Sequence, residues 1–473
     1  MKKIIAIFLS LLCCDFVAAQ SYSLQQLVDS AMQNNFSVRS AQLAVEAARQ
    51  QRREAFTNFF PNVSGTGLWF NANRGMAKME MNPSEMIPAS YAGMLSQMLP
   101  AEAMTALASP MSMTMMKNGT IAGVTAMQPL FAGGQIVNGN KLARVGEDVS
   151  RLQLQLSENE VEKQTTQYYW QLVSLEQKMN TIHAVEALLA DISKDVTVAV
   201  EAGVAMRNDL LQVQLRQNDV ESQKLKLENG IFIVKQLLGQ YAGLNSLTPN
   251  SLSPDSLTPS PSPIGEGSIY TFQVEVPDLN QQNYILPSPI GEGLGVRLLS
   301  LLPEYQLLEK QVEAAKLQKK MAVGKNLPSV AVGAGYNYHN LLDNDRTFGM
   351  IFATVSIPIS DWWGGSHAVK RKQIEQQQAV EQLENNARLL TIRMQKARND
   401  VQEAYQQYLL AQQSVEQTTE NLRLNRDYYN AGTSRMSDLL EAQLLYQQSL
   451  DKRVDAYADL QNRLLDFRQA TGQ

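Results

Sequence analysis

The sequence predicts a mainly α-helical protein with a small membrane β part, built from two tandem copies of one structural plan. The first observation is a repeated motif: residues 202–215 read AGVAMRNDLLQVQL, and residues 431–444 read AGTSRMSDLLEAQL. The Ala-Gly, Asp-Leu-Leu and Gln-Leu groups recur at the same offsets, 229 positions apart. The other observations are long helices with a coiled-coil pattern and strands in which apolar residues alternate with small or polar ones.

The repeat extends upstream of this motif. QPLFAGGQIVNGNKLA (128–143) aligns with IPISDWWGGSHAVKRKQI (357–374), and NFFPNVSGTGLWFN (58–71) aligns with KNLPSVAVGAGYNY (325–338). Each copy is predicted to form a helix, a strand, a loop, a strand, a Gly-Gly turn, a long helix, an Ala-Gly turn and a final helix. The predicted boundaries are residues 20–244 for the first repeat, 245–301 for a Pro/Gly-rich linker and 302–473 for the second repeat, with strands at 62–71, 119–129, 328–339 and 347–358 and a Met-rich loop at 72–118.

The long helices carry the coiled-coil pattern. In the second copy, apolar or small residues recur at alternating spacings of four and three residues: Leu383, Ala387, Leu390, Met394, Ala397, Val401, Ala404, Tyr408, Ala411, Val415, Thr418 and Leu422. A period of 3.5 residues predicts a left-handed supercoil against neighbouring helices. The first copy follows the same pattern from Thr165 to Ile182 and again from Leu189 to Val196. These segments are therefore predicted to be long packed rods rather than parts of one globular core.

The predicted strands have the alternation of membrane-spanning strands. In 329–338, every second residue from Val330 to Tyr338 is apolar, and the residues between them are small or polar. Strands of about ten residues with aromatic residues at one end are typical of membrane barrels, although any one of them is also compatible with an ordinary soluble hairpin. Four strands cannot close a barrel, and an open edge leaves backbone groups unsatisfied in lipid. Several chains are therefore expected to pool their strands.

The amino-terminal segment reads MKKIIAIFLSLLCCDFVAAQ. Two lysines, an apolar run and small residues at positions 17 and 19 predict a secretory signal peptide over residues 1–19. Both cysteines, Cys13 and Cys14, lie in this segment, so the mature chain is expected to contain none. No other segment approaches the roughly 20 apolar residues that a spanning helix needs. The formal net charge of −5 argues against a nucleic-acid partner.

This duplicated order, with QPLFAGG before the long helix and AG-x5-DLL after it, resembles the TolC family of outer-membrane efflux channels. The resemblance covers nearly the whole mature chain apart from the linker and the first hairpin loop. It implies a homotrimer whose twelve pooled strands form one β-barrel in the outer membrane of a Gram-negative bacterium, continued into the periplasm by an α-helical barrel. It further implies a passive exit duct of a tripartite efflux or secretion system, opened at its periplasmic tip by an adaptor (membrane fusion) protein and driven by an inner-membrane transporter.

The resemblance also implies roles for residues of the repeated motif. The pore gate consists of Asp438 and Glu441, with Asp209 in the first copy, where Gln212 stands in place of the second acid. A trimer supplies six such acidic side chains from the second copy, which would attract cations and repel anions. Helix capping is the alternative role of Asp209 and Asp438. The family often has an Arg two residues after the turn glycine, where this chain has Ser434. The tip turns and adaptor-docking positions are Ala202, Gly203, Ala431, Gly432, Thr433 and Arg435.

Two further segments are conspicuous. PSPIGEG occurs at 261–267 and again at 287–293, and its composition predicts an extended linker outside the tunnel rather than a phosphate-binding loop. Eleven of the 20 methionines lie within residues 76–116. Thioethers bind Cu(I) and related soft ions, but an apolar filler over the pore mouth is the favoured interpretation. No metal is therefore predicted, and the weak candidates are Met111, Met113, Met115 and Met116.

Catalytic motifs are missing from the sequence. The three histidines, His183, His339 and His367, are scattered, and neither HExxH nor G-x-S-x-G occurs. We therefore expect no enzyme activity and no cofactor. The alternative function, from another class, is a periplasmic coiled-coil scaffold without a pore, for which strands with alternating apolar residues would be unnecessary.

Overall fold

The computed structural model describes residues 21–74, 77–83, 87–88, 94, 98–100, 102–103, 105, 109, 111–115, 118–244, 272–276, 298–341, 344–359 and 361–472. The predicted signal peptide and both copies of PSPIGEG lie outside these residues. The helices are α1 (Leu24–Asn34), α2 (Phe36–Thr57), α3 (Gln135–Glu201), α4 (Arg207–Tyr241), α5 (Pro303–Lys325), α6 (Asp361–Asn430) and α7 (Met436–Thr471). The strands are β1 (Ser21–Tyr22), β2 (Asn62–Asn71), β3 (Ala77–Met81), β4 (Met111–Met115), β5 (Asn118–Ala132), β6 (Gln273–Val274), β7 (Ser329–Leu341) and β8 (Asn344–Ser356).

The chain divides into two compact units, and each contains parts of both sequence repeats. The first unit comprises Met1–Arg49, Gly146–Val312 and Gln378–Gln473. The second unit comprises Gln50–Val145 and Glu313–Gln377. None of the helices in the described part of the chain is long and apolar enough to cross a lipid bilayer.

The first unit is a bundle whose buried stripes follow the predicted heptads. The residues of α6 that fall on the pattern and are buried are Met394, Ala397, Val401, Ala404, Tyr408 and Ala411. On α3, the buried pattern residues are Thr165, Leu172, Ile182, Leu189, Ile192 and Val196. At the centre of the bundle, the ring of Tyr457 lies edge-on to Trp170 and to Tyr408, with centroid distances of 5.5 and 5.6 Å. Such edge-to-face pairs add to the stabilisation that burial provides.

Part of the predicted linker belongs to this core. Strand β6 pairs in parallel with β1, and Phe272 and Val274 are buried in the main apolar cluster of the bundle. The hydroxyl of Tyr169 donates a hydrogen bond to the carbonyl oxygen of Glu275. Residues 272–276, within the segment predicted as a linker, therefore pack against the bundle of the first unit. Phe272 and Val274 lie on either side of Gln273, so one side of this short strand is apolar and buried.

The second unit contains a four-stranded antiparallel sheet with the order β2-β5-β7-β8. The central β5–β7 pair joins the two sequence repeats, so that Val124 lies opposite Gly65 on one side and Tyr336 on the other. The register shifts between Pro129 and Phe131, where proline has no N–H for the ladder. Strands β2 and β8 are the edges of this sheet within the described residues, and each pairs with one neighbour only.

One face of the sheet exposes large apolar side chains. The pairing register of the four strands places Val63, Val124, Tyr336 and Ile351 on this face. These four side chains are between 55% and 90% exposed. The opposite face carries more polar residues, including Ser64, Thr125 and Asn337. A broad exposed apolar face of this kind marks a surface that another apolar medium or partner covers.

Glycines set the junctions between strands and helices in this unit. Gly133 has φ +59°, and a Cβ there would lie 2.0 Å from the carbonyl oxygen of Gly324, so the two backbones touch. The predicted first Gly-Gly turn is therefore real. The second Gly-Gly pair is not a turn, because Gly364 and Gly365 lie inside α6. A Cβ at Gly365 would meet the Asn326 side chain at 2.1 Å, so close approach rather than chain reversal explains this glycine.

The segment predicted as a Met-rich loop, 72–118, contains strand structure. Strands β3 and β4 pair within it as an antiparallel ladder. The described strands also differ in length from the predicted ones: β5 runs from Asn118 to Ala132, and β8 begins at Asn344, three residues before the predicted start. Edge positions of strands have weak sequence signals, since they depend on the neighbouring strand.

Candidate functional site

The two copies of the repeated motif form two helix–helix turns of the same geometry. The first turn joins α3 to α4, and the second joins α6 to α7. Gly203 and Gly432 have φ values of 73° and 71°. The N–H of Gly203 donates to Val200 O at 3.0 Å and that of Val204 donates to Ala199 O at 2.9 Å. Glycine is favoured at this position because other residues are strained at positive φ.

The second turn repeats these hydrogen bonds at the equivalent positions. The N–H of Gly432 donates to Tyr429 O at 2.9 Å, and the N–H of Thr433 donates to Tyr428 O at 2.9 Å. This pair of bonds is the Schellman motif, which satisfies the last carbonyl groups of a helix. The Thr433 hydroxyl adds a third bond to Tyr428 O at 3.0 Å. Both turns are thus fixed by backbone chemistry, and Ala202, Ala431 and Arg435 are exposed beside the glycines.

The acidic residues after each turn cap the next helix. Asp209 Oδ2 accepts from the Met206 N–H at 3.2 Å, and Asp438 Oδ2 accepts from the Arg435 N–H at 3.2 Å. A carboxylate here is favoured by the unpaired N–H groups and the dipole of the helix start. The structure therefore shows the capping role for both aspartates. It leaves their charge at the surface of each turn.

The two copies differ in what surrounds the capping aspartate. The hydroxyls of Ser434 and Ser437 donate to Asp438 at 3.2 and 3.1 Å. The Arg435 backbone N–H and these hydroxyls hold the pKa of Asp438 below its usual value, so the side chain is ionised at neutral pH. Glu441 lies one turn further along α7 and is exposed. The residues equivalent to Ser434 and Glu441 in the first copy are Ala205 and Gln212.

The hairpins of the two copies pack together just behind the turns. The apolar cluster there contains residues of all four helices: Ile192 and Val196 of α3, Val213 of α4, Met436 and Leu439 of α7, with Tyr429 of α6 packed against them. Burial raises the pKa of Tyr429, and the charges of Asp209 and Asp195 raise it further. The tyrosine hydroxyl is therefore neutral.

A polar network that sequence analysis missed joins α4 to α7 one layer further in. Arg216 donates to Gln443 Oε1 at 3.0 Å and to Gln447 Oε1 at 2.7 Å. Gln447 in turn donates to Gln223 Oε1 at 2.8 Å. Gln443 and Gln447 are polar residues at buried positions of α7. A search for apolar periodicity alone does not detect such positions.

A second charged group lies between α3 and α7. Lys178 Nζ and Ser174 Oγ both contact Asp455, at 2.7 and 2.8 Å. Asp451 lies near them, and its buried Oδ1 has no hydrogen-bond partner among the described residues. Burial, opposed by Lys178, raises the pKa of Asp451 to about 6. Part of this group lines a cavity of about 540 Å³ between the two helices.

The weak metal candidates fall on one strand. Met111, Met113 and Met115 belong to β4, and Met116 lies outside the described residues. Strand β3, which pairs with β4, contributes Met79 and Met81, which sequence analysis did not single out. Among the residues that the structure describes, no group of three or more His, Cys, Asp or Glu side chains is arranged to hold a metal ion.

The fold is that of outer-membrane channels. The described chain is similar to the Campylobacter jejuni outer-membrane channel CmeC, with TM-score 0.70, 16% identity and coverage of 95% of this chain and 85% of the other. It is similar to VceC of Vibrio cholerae, with TM-score 0.68, 16% identity and coverage of 95% and 96%. The open-state MtrE channel of Neisseria gonorrhoeae gives TM-score 0.69, 16% identity and coverage of 95% and 88%.

The second repeat matches a family model. Residues 296–473 match the family described as outer membrane efflux protein, in agreement with the resemblance that the repeated motif indicated. No curated protein sequence matches the chain.

Proposed function

We propose that this chain is the outer-membrane exit duct of a tripartite efflux or secretion system. Three chains pool twelve strands into one β-barrel in the outer membrane, and their long helices form a tunnel in the periplasm. The duct is passive: an adaptor protein opens its periplasmic tip, and an inner-membrane transporter supplies the energy. The chain offers no nucleotide-binding motif of its own.

The observation that carries this proposal is the four-stranded sheet with its exposed apolar face. In water, a face with Ile351 at 90% exposure and Val63 at 65% would favour aggregation. In lipid, the same face is favourable, but the free edges of β2 and β8 would leave backbone groups unpaired. Pairing β2 of one chain with β8 of the next removes both problems. A scaffold without a pore would need neither the apolar face nor the matching edges.

Two features of the turns support adaptor docking there. Both turns have the same backbone and lie at the end of a long helical hairpin, so a trimer would present six similar tips. The first turn exposes the apolar side chains of Val204 and Met206, by 81% and 74%, which suits contact with another protein. The docking residues that we propose are Ala202, Gly203, Ala431, Gly432, Thr433 and Arg435.

We assign the gate to Asp438 and Glu441, with a smaller contribution from Asp209. Asp438 keeps its charge while it caps α7, because N–H and O–H donors stabilise the carboxylate. Capping and charge selection are thus compatible in one residue. Glu441 is free to extend from the same side of α7, since residues three apart are neighbours on a helix.

The test is the mass and shape of the protein extracted by detergent from isolated outer membranes, measured by mass photometry and negative-stain images. We expect a three-chain particle with a tapered rod about 100 Å long, from the rise of α3 and α6. A monomer, or a rod released without detergent, would overturn the duct and favour the scaffold. An equivalent preparation of Ile351→Lys, which charges the apolar face, is the matched control and should not be recovered in the membrane as a trimer.

A further inference from the structure

Four helix–strand junctions of the second unit lie at the same end of the sheet. Helix α2 precedes β2, α3 follows β5, α5 precedes β7, and α6 follows β8. The antiparallel register brings these strand ends together, because Ser329 lies opposite both Ala132 and Ser356. All four helices therefore leave the sheet along one end.

Large apolar and aromatic side chains are exposed along this end of the sheet. They include Phe59, Phe60, Phe131, Leu327, Ile357 and Trp363. Trp363, in the first turn of α6, is 85% exposed. Aromatic residues concentrate where a membrane sheet meets the lipid headgroups. This end of the sheet therefore has the composition of a boundary between lipid and water.

The helix segments just beyond this boundary are strongly basic. Residues 50–57, 135–145, 313–325 and 361–377 contain eleven Lys and Arg residues and four Asp and Glu residues, a formal charge of +7. The whole chain has a formal charge of −5, so positive charge is concentrated in these segments. Clusters of Lys and Arg beside a membrane attract anionic lipids.

A cavity of about 320 Å³ lies within this basic region, between α3, α5 and α6. Its lining consists of Lys316, Lys319, Lys320 and Val323 of α5, Asn138 of α3 and Gln376 of α6. Lys316 and Lys320 are exposed, and Lys319 is half-buried. Among the residues that the structure describes, no acidic side chain lines the cavity. Its charge and its amide groups suit an anion with several oxygen atoms.

The lysines lie at a depth that suits phospholipid headgroups. Lys320 and Lys316 are five and nine residues before the end of α5 at Lys325, which is about 8 and 14 Å along the helix. The polar region of each leaflet is about 5–8 Å thick, and the long stem of lysine lets its ammonium group reach toward that region. Val323, one turn closer to the sheet than Lys320, is exposed and apolar.

We infer that this cavity binds the phosphate headgroup of an anionic phospholipid, such as phosphatidylglycerol, in the periplasmic leaflet of the outer membrane. The ammonium groups of the three lysines pair with the phosphate, and the amides of Asn138 and Gln376 donate to further headgroup oxygens. The inference rests on the proposed function, because it requires the sheet to lie in the membrane. It adds a lipid class and a defined binding site to that function.

The experiment counts the lipids that the purified mature protein retains in detergent, by native mass spectrometry. Phosphatidylglycerol and phosphatidylcholine with the same acyl chains are titrated separately. We expect one tightly held phosphatidylglycerol per chain, bound about tenfold or more tightly than phosphatidylcholine, since each lysine near an anionic lipid contributes up to about fivefold.

The triple variant Lys316→Gln, Lys319→Gln and Lys320→Gln should lose this preference, while glutamine keeps the helix propensity of lysine. The matched control is Lys194→Gln, Lys226→Gln and Lys452→Gln, which removes three exposed lysines from helices of the first unit. It should keep the preference of the wild type. An equal loss in both variants would indicate general charge attraction and overturn the site.

The two lipids separate failure of the site from failure of the duct. If the wild type retains both lipids equally, the site is wrong, but the apolar sheet still binds lipid and the duct stands. If it retains neither lipid, both the site and the insertion of the sheet are wrong. Displacement of phosphatidylglycerol by an equal concentration of inorganic phosphate would assign the cavity to a small anion and contradict the lipid site.

A salt titration of the wild type tests the inference without any variant. Salt screens the attraction between exposed charges, so the preference for phosphatidylglycerol should weaken as the salt concentration rises. A preference that does not change with salt would overturn the assignment to the three lysines.

Discussion

Gly432→Ala isolates the backbone contribution to the turn between α6 and α7. Gly432 has φ +71°, and a Cβ built there meets nothing within 4 Å. The substitution therefore adds no clash, and its cost is the strain of placing an L-residue at positive φ. That strain is about 1–2 kcal/mol, which corresponds to an increase of about 5- to 30-fold in local opening.

Hydrogen exchange measured by mass spectrometry reads this opening directly. The N–H groups of Gly432 and Thr433 bond to Tyr429 and Tyr428, so a peptide spanning 428–440 reports the turn. We expect faster exchange of this peptide in Gly432→Ala, by the factor given above, and a smaller increase in Gly432→Asn, because Asn tolerates the left-handed region.

The matched control is Gly146→Ala. Gly146 lies inside α3, has ordinary helical φ and also has open space around a built Cβ. Alanine there should stabilise the helix by about 0.4–1 kcal/mol and leave the 428–440 peptide unchanged. Equal exchange of that peptide in wild type, Gly432→Ala and Gly146→Ala would refute the argument that positive φ fixes the turn.

Three further predictions concern other parts of the chain. Burial raises the pKa of Asp451 to about 6, so the contribution of this residue to the free energy of unfolding falls as pH rises from 3.8 to about 6. Asp451→Asn should therefore raise the melting temperature at about pH 7.5 and flatten the plot of melting temperature against pH between these values. An unaltered plot would contradict this. Gly324→Ala should lower the melting temperature far more than Gly139→Ala, since a Cβ at the first position meets backbone at 2.1 Å and at the second only a side-chain methyl at 3.8 Å; equal losses would disprove the close approach. Replacing Asp438 and Glu441 together by Ala should raise single-channel conductance in a planar bilayer and weaken block by multivalent cations, and the gate assignment fails if both stay unchanged.

Periodicity predicted the parts of the fold that repeat over many residues. The heptad positions of α6 from Met394 to Ala411 are buried. Residues that repeat every 3.5 positions form one stripe along a helix, and this stripe is the surface that packs against a neighbouring helix. The alternation in β7 likewise identified a strand with one apolar face. The repeated Ala-Gly motif predicted both turns, since a left-handed glycine followed by a helix-capping acid has few structural alternatives.

Features that depend on partners distant in sequence were missed. Strand β6 forms because Gln273 and Val274 meet β1 about 250 residues away, and the Pro/Gly-rich sequence around them gave no sign of it. A long connection separates β3 from β4, so the pairing register of the two strands could not be derived from the length of a short turn. Arg216 was overlooked because its partners, Gln443 and Gln447, lie on a helix of the other repeat.

The duplication explains why the backbone of the two turns agrees while their chemistry does not. Both copies need the Schellman turn and the capping acid, because these features end one helix and start the next. The charges at the tip and the polar network have no such constraint. The second copy has Ser434 and Glu441 where the first has Ala205 and Gln212. Conversely, the first copy has Arg216 where the second has Leu445.

The two hairpins therefore contribute different polar side chains. Ser434 and Glu441 belong to the α6–α7 hairpin, whereas Arg216, which hydrogen-bonds across to α7, belongs to α4. The half-buried guanidinium of Arg216 donates to two neutral glutamines, and burial lowers its pKa, although the charge of Asp219 opposes this shift. Moving α4 away from α7 would return this arginine to water and recover part of its desolvation cost. Part of the stabilisation that these hydrogen bonds give the α4–α7 contact is therefore offset by the desolvation of Arg216.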